Sequence, residues 1–146
     1  HAYFSKQFKE RKVEKIYLAL TRGTINPDEA IIDAPIGRHP RNRKKMASVD
    51  SGKEASTRYR VITKFKKFSL LEVRPTTGRT HQIRVHLASI GHPVVGDVTY
   101  GSRHPSLDRH FLHAYTLGFN RPLTGQRINL RSDLPNELQL FLDLLD

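Results

Sequence analysis

Residues 55–90 read ASTRYRVITKFKKFSLLEVRPTTGRTHQIRVHLASI, and two different periods follow one another within them. Tyr59, Val61 and Ile62 stand among polar residues, which predicts a strand over 55–64, and the β-rich run over 68–73 is its expected antiparallel partner across the short connection 65–67. Arg58, Arg60 and Lys64 share one parity, so one face of the first strand is expected to be basic. Past Pro75 the pattern changes. Ile83, Leu87 and Ile90 fall on one stripe of a helix predicted over 80–90, with Thr80 as the expected cap, Gly91 as the stop and Pro93 beyond it.

Around this strand–strand–helix unit, KIYLALT at 15–21 reads as a further strand ended by Gly23, and 111–119 with 126–131 as a hairpin around PLTG. Tyr3, Phe4 and Phe8 at helical spacing predict a short amphipathic helix over 1–11, and 136–145 is an apolar terminal helix opened by Pro135. Residues 26–52 are expected to be a mobile loop with one short strand near Ile31 and Ile32. No period repeats and no Gly/Ser-rich linker divides the chain. The expectation is an α+β fold, a mostly antiparallel sheet with flanking helices, across 1–146 as one unit.

The chain has 146 residues, 37% of them hydrophobic, enough for a real core. Its apolar runs are far shorter than the roughly 20 residues of a membrane span, and no secretion signal is read at its start. The absence of cysteine excludes disulfides and thiolate metal sites and fits a reducing cytoplasm. The net charge of +11 is unevenly spread: eleven basic residues face only Asp50 and Glu54 between Arg38 and Lys67. Regional positive charge of this kind suits a polyphosphate partner, RNA or DNA, ahead of a merely solvated face. Arg38, Arg41, Arg43, Lys44 and Lys45 are the candidate contacts.

The segment PTTGRTHQIRVHL, from Pro75, leaves a strand and enters a helix, with Gly78 free to turn tightly and Arg79 beside the helix start, an arrangement that suits an anion. Arg84 lies between Ile83 and Val85, and a guanidinium partly buried there requires a carboxylate. Taken alone, both arginines also fit ordinary surface contacts. His81 and His86 are five apart, HExxH is absent, and no metal site is expected. Asp97 in GDVTYG reads as a turn residue and His113 as a satisfied strand residue.

KIYLAL from Lys15, GRTHQIRVHL from Gly78, GHPVVGDVTYG from Gly91 and FLHAYTLGFNRPLTG from Phe111 resemble, in order, successive motifs of the RluA/RluD family of RNA pseudouridine synthases. The resemblance implies an enzyme that breaks the N-glycosidic bond of an RNA uridine, turns the base and rejoins it through C5, with no metal or organic cofactor. It implies that 1–146 is the C-terminal portion of the catalytic domain. The HRLD-type motif with the essential aspartate lies upstream in the family and is absent here, so the chain alone is expected to be inactive, with the N-terminal half of the domain as its partner. Tyr17 matches the tyrosine that packs on the target base, and Arg84 the basic residue that pairs with that aspartate. Arg79 matches a position near the site, and Leu112 and Leu117 fall in the segment lining the uracil pocket. Large-subunit ribosomal RNA is the implied target, with transfer RNA as a further possibility. The alternatives are a non-catalytic RNA-binding module and, on charge alone, a ribosomal or structural protein.

Overall fold

A computed structural model describes Lys6, Gln7 and residues 12–146. Its elements are β1 (Glu14–Arg22), β2 (Glu29–Asp33), β3 (Ile36–Arg38), β4 (Met46–Ser48), β5 (Ser56–Lys64), β6 (Phe68–Pro75), α1 (Gln82–Ser89), β7 (Leu112–Asn120), β8 (Arg127–Arg131) and α2 (Asn136–Asp143). Six strands form an antiparallel sheet in the order β2-β5-β6-β1-β7-β8, and β3 pairs with β4 in a separate hairpin. The α+β expectation therefore holds. The helix expected over 1–11 lies outside the described residues except for Lys6 and Gln7, which are helical.

Partners across an antiparallel ladder project to the same face of a sheet. Tyr59, Val73 and Tyr17 thus form one row across β5, β6 and β1, and Val61, Leu71 and Ala19 form the next. These rows meet Ile83 and Leu87 of α1 in the main core. The opposite face is charged: Glu72 pairs with Arg60 at 2.8 Å and Arg74 at 2.9 Å. Lys64 does not share that face with Arg58 and Arg60, because the register of β5 shifts between Val61 and Thr63. The extra residue, Ile62, reverses the alternation beyond it, and Lys64 instead pairs with Asp28 at 2.9 Å.

Three further expectations fail. Residues 26–52 contain three strands, β2, β3 and β4, where one was expected. Strands of three residues carry too little alternation to be legible, and this hairpin closes through its own side chains: His39 Nδ1 accepts the N–H groups of Arg41 and Asn42, each at 3.1 Å. Gly52 lets it fold back, since a Cβ there would lie 2.4 Å from the carbonyl carbon of Ile36. Thr80 does not cap α1. The cap position is His81, in the left-handed region at φ 56°, and no side chain caps the helix. The helix ends as expected: the N–H of Gly91 (φ 85°) reaches Ala88 O and that of His92 reaches Leu87 O, each at 3.0 Å, the paired bonds of a Schellman motif. Ile90, expected on the buried stripe, is exposed.

His86 takes the buried place on α1. Its Nε2 donates to Ala34 O at 2.9 Å, and Nδ1 lies 2.7 Å from the Thr57 hydroxyl, from which it accepts a hydrogen bond in the neutral ring. Gln82 completes the network by donating to Thr57 Oγ1 and accepting from Thr77 Oγ1 and Arg79 N. Burial holds the His86 imidazole below its ordinary pKa of 6.5. The unfolded chain therefore binds more protons than the folded one below that pH, and stability is lost as pH falls. Thermal melts of the chain should give a midpoint that drops from pH 7.5 to 5.5, with a shallower drop in His86→Gln; equal slopes would show that this ring is not involved.

Candidate functional site

β1, β7, the 75–79 turn and the start of α1 converge on a cleft of about 290 Å³ whose walls include Tyr17, Arg79, His81, Gln82, Arg84 and Leu112. Antiparallel pairing of β1 with β6 brings Tyr17 beside Val73, two residues before Pro75, where the chain turns toward the helix. Arg84, in the first turn of α1, is thereby brought to the same walls. Tyr17 is half-buried, and burial raises its phenol above the ordinary value, keeping it neutral.

Arg84 makes a bidentate pair with Asp97: Nε to Oδ2 at 2.8 Å and Nη2 to Oδ1 at 2.9 Å. The Asp97 side chain is 0% exposed and that of Arg84 14%. Burial alone would push the Asp97 carboxyl up, but the hydrogen bonds from Arg84 and from the N–H groups of Tyr100 and Thr99 outweigh it and hold the carboxyl below its ordinary value. The same bond raises Arg84. Asp97 is thus a turn residue, as its sequence suggested, and also the buried anion of an ion pair. The anion beside Arg84 was expected from another stretch of polypeptide, whereas this one lies within the chain.

The signal that could have exposed Asp97 is its place after Val94 and Val95, both 0% exposed. Gly96 (φ 80°) has no room for a Cβ, which would lie 2.5 Å from Arg109 O. A carboxylate carried by so tightly packed a turn points inward. Tyr100 is a second residue that its sequence context conceals. Its ring centroid lies 5.1 Å from the Arg84 guanidinium carbon and 5.6 Å from Lys45 Nζ. His81 and His110, both near Arg84, are held below their ordinary value first by desolvation and then by that charge.

Of the other candidates, Leu112 lines the cleft and Leu117 does not. The two leucines nevertheless share a face. Five residues apart, they would oppose one another in a regular strand, but the β1–β7 register skips Tyr115, so Leu117 faces Lys15 while Leu112 faces Ala19. Arg79 bonds Glu54 O through Nε at 2.8 Å and also lines a neighbouring groove with Arg38, Lys53 and Thr80. Gly78 and Arg79 belong to both depressions, so the groove continues the cleft toward the β3–β4 hairpin. Arg38 donates from Nη1 to Arg43 O within that hairpin, and Arg41, Arg43 and Lys44 are exposed along it. No acidic side chain pairs with these residues or with Lys45 among the described residues. No cluster of metal-ligating side chains occurs among the described residues, and no described helix is long and apolar enough to cross a membrane.

The sequence model of a family described as RNA pseudouridylate synthase matches residues 1–89. An uncharacterized RNA pseudouridine synthase of Chloroflexus aurantiacus is 49% identical over 93% of this chain and 43% of its own length. Ribosomal large subunit pseudouridine synthase D of Nitrosomonas europaea is 44% identical, covering 97% of this chain and 43% of its own. The chain therefore spans less than half the length of these relatives. The solved structure of human RNA Pseudouridylate Synthase Domain Containing 1 superposes with a TM-score of 0.79 at 34% identity, over 92% of this chain and 60% of that one.

Replacing Asp97 by Asn would leave a largely buried guanidinium without its counter-charge. Removal of one partner from such a pair costs on the order of 3 kcal/mol, so urea unfolding of Asp97→Asn should show a midpoint clearly below wild type; an unchanged midpoint would mean that the pair does not hold α1 to the 94–100 turn.

Proposed function

Since the chain belongs to the RNA pseudouridylate synthase family, we propose that its cleft receives a uridine extruded from RNA and that residues 1–146 are the C-terminal portion of a catalytic domain that isomerises it to pseudouridine. The observation that carries this reading is the meeting of a neutral, half-buried aromatic ring, Tyr17, with a largely buried cation, Arg84, in one cleft. A flat ring accepts any base by stacking, worth roughly 1–3 kcal/mol per base, and a uracil leaving its stack needs such a surface. Leu112 supplies an apolar wall beside it.

The reaction also needs a carboxylate that attacks or deprotonates the ribose. Asp97 does not serve, because its side chain is fully buried and both oxygens accept hydrogen bonds. The resemblance to the family implies that the reacting aspartate is carried by a segment outside residues 1–146. Arg84 keeps such a group ionised in a dry pocket by lowering its pKa and offsetting its desolvation. Asp97 fixes the guanidinium through Nε and Nη2, so that Arg84 is oriented before the carboxylate arrives. Leu117, on the same face but outside the cleft, continues the apolar surface beyond it. Arg79, at the junction of cleft and groove, meets the phosphate next to the bound uridine, and Arg38, Arg41, Arg43, Lys44 and Lys45 take the phosphates beyond it.

Relatives named as large-subunit synthases make large-subunit ribosomal RNA the proposed target, and a cysteine-free chain suits the cytoplasm where that RNA is modified. With a uridine-containing ribosomal RNA fragment, residues 1–146 alone should form no pseudouridine, and the protein extended upstream to the length of its relatives should form it. Activity in the short chain would refute the outside carboxylate. In the extended protein, Tyr17→Leu should lower turnover about 10- to 100-fold, the effect of removing one stacking surface.

The basic hairpin is tested through salt. Neutralising Arg41, Arg43, Lys44 and Lys45 together should weaken RNA affinity and flatten the dependence of log K on log salt by about 0.7–0.9 for each phosphate that the hairpin no longer neutralises. Tyr17→Phe should retain that affinity. An unchanged slope would remove the hairpin from the RNA-binding surface.

A further inference from the structure

Tyr100 stands where three parts of the molecule meet, and the proposed chemistry gives it no task. It lies three residues after Asp97, in a reversal closed by Gly101 N to Asp97 O at 2.8 Å. The Arg84 guanidinium carbon sits 5.1 Å from its ring centroid and the Lys45 ammonium 5.6 Å. Its hydroxyl accepts the N–H of Met46, the first residue of β4, at 3.0 Å. The same oxygen is 2.8 Å from Nδ1 of His81, whose ring meets it edge-on at 5.6 Å.

Two of these contacts are not what simple packing would produce. His81 is the only non-glycine residue with positive φ among the described residues. A side chain in that conformation is disfavoured, and such departures persist where the surroundings impose them. Here the left-handed backbone coincides with an imidazole held against the Tyr100 hydroxyl. Lys45 and Arg84 are like charges sharing one aromatic ring, an arrangement that each destabilises for the other while both face it. One of the two belongs to the exposed hairpin and the other to the cleft.

We propose that Tyr100 is a positioning residue that couples the β3–β4 hairpin to the Arg84–Asp97 pair, so that engagement of the hairpin by RNA phosphates and the orientation of Arg84 are linked. This rests on the reading of the hairpin as the RNA contact and of the cleft as the uridine site. A phosphate that takes up Lys45 anchors the residue next to Met46 and so fixes the position of the hairpin. The Met46 N–H carries the hairpin's position to the hydroxyl, and the ring carries it to the guanidinium. His81 holds the hydroxyl from the side of α1. The hairpin thus acts on the cleft without touching the uridine.

The test is a double-mutant cycle in the protein extended to the length of its relatives, with initial rates of pseudouridine formation measured across RNA concentration. Tyr100→Phe keeps the ring and deletes the hydroxyl; it should lower kcat about 10-fold and change KM less than about twofold, a split that general loosening of the fold would not give. Lys45→Ala should raise KM and lower kcat. The double variant should have a kcat no lower than that of Tyr100→Phe alone, because the route from hairpin to Arg84 is already cut. Multiplicative effects on kcat, or a Tyr100→Phe change confined to KM, overturn the coupling. Tyr100→Leu, which also removes the ring, should fall further in kcat than Tyr100→Phe, and equality of the two would exclude the ring from the route. If the unsubstituted extended protein forms no pseudouridine, the uridine-site reading itself fails and the coupling falls with it.

Discussion

One buried ion pair, Arg84 with Asp97, ties together everything that faces the cleft. Its geometry is demanding: a planar guanidinium meets a carboxylate along a single edge, at 2.8 and 2.9 Å, with the acid wholly removed from water. An isolated charge of either sign could not be kept there, so the helix that carries one partner and the turn that carries the other are held to a fixed separation. The cleft exists because α1 is placed so that Arg84 reaches this turn while Gln82 reaches back to β5. The aromatic ring on β1, the turn at Gly78 and the hairpin beyond it then stand around a guanidinium whose plane is already set.

The parts of the fold with a clear period were legible from the chain. β1, β5, β6 and β7 show alternation or β-branched density over eight or nine residues, and the end of α1 is written in Gly91. What was not legible depends on single residues acting against a period. Ile62 and Tyr115 each add one residue to a strand, and a parity argument has no means of seeing an insertion that leaves composition unchanged. Thr80 has the chemistry of a cap, but His81 adopts the left-handed conformation next to it and the helix starts without one. The β3–β4 hairpin has strands too short to alternate, and its closure is made by His39 and Asn42 side chains.

The candidate site was legible to a different extent. Tyr17, Arg79, Arg84 and Leu112 are brought to one cleft from elements up to 95 residues apart, and their family motifs are contiguous enough to be recognised without any knowledge of that meeting. Asp97 and Tyr100 stayed hidden because an aspartate and a tyrosine in a glycine-bounded turn look like surface residues. Only the packing of Val94, Val95 and Gly96 turns that segment inward.

The bulge at Tyr115 has a consequence for comparing and recombining relatives. Because the skipped residue sits between Leu112 and Leu117, the face that the two leucines share is specified by residue count as much as by residue type. A β7 transplanted from a homologue with the same hydrophobic composition but one position fewer would present its second leucine to the wrong side, with every backbone pair still formed. Length, at that one point of the strand, is an inherited character that substitution tables do not record.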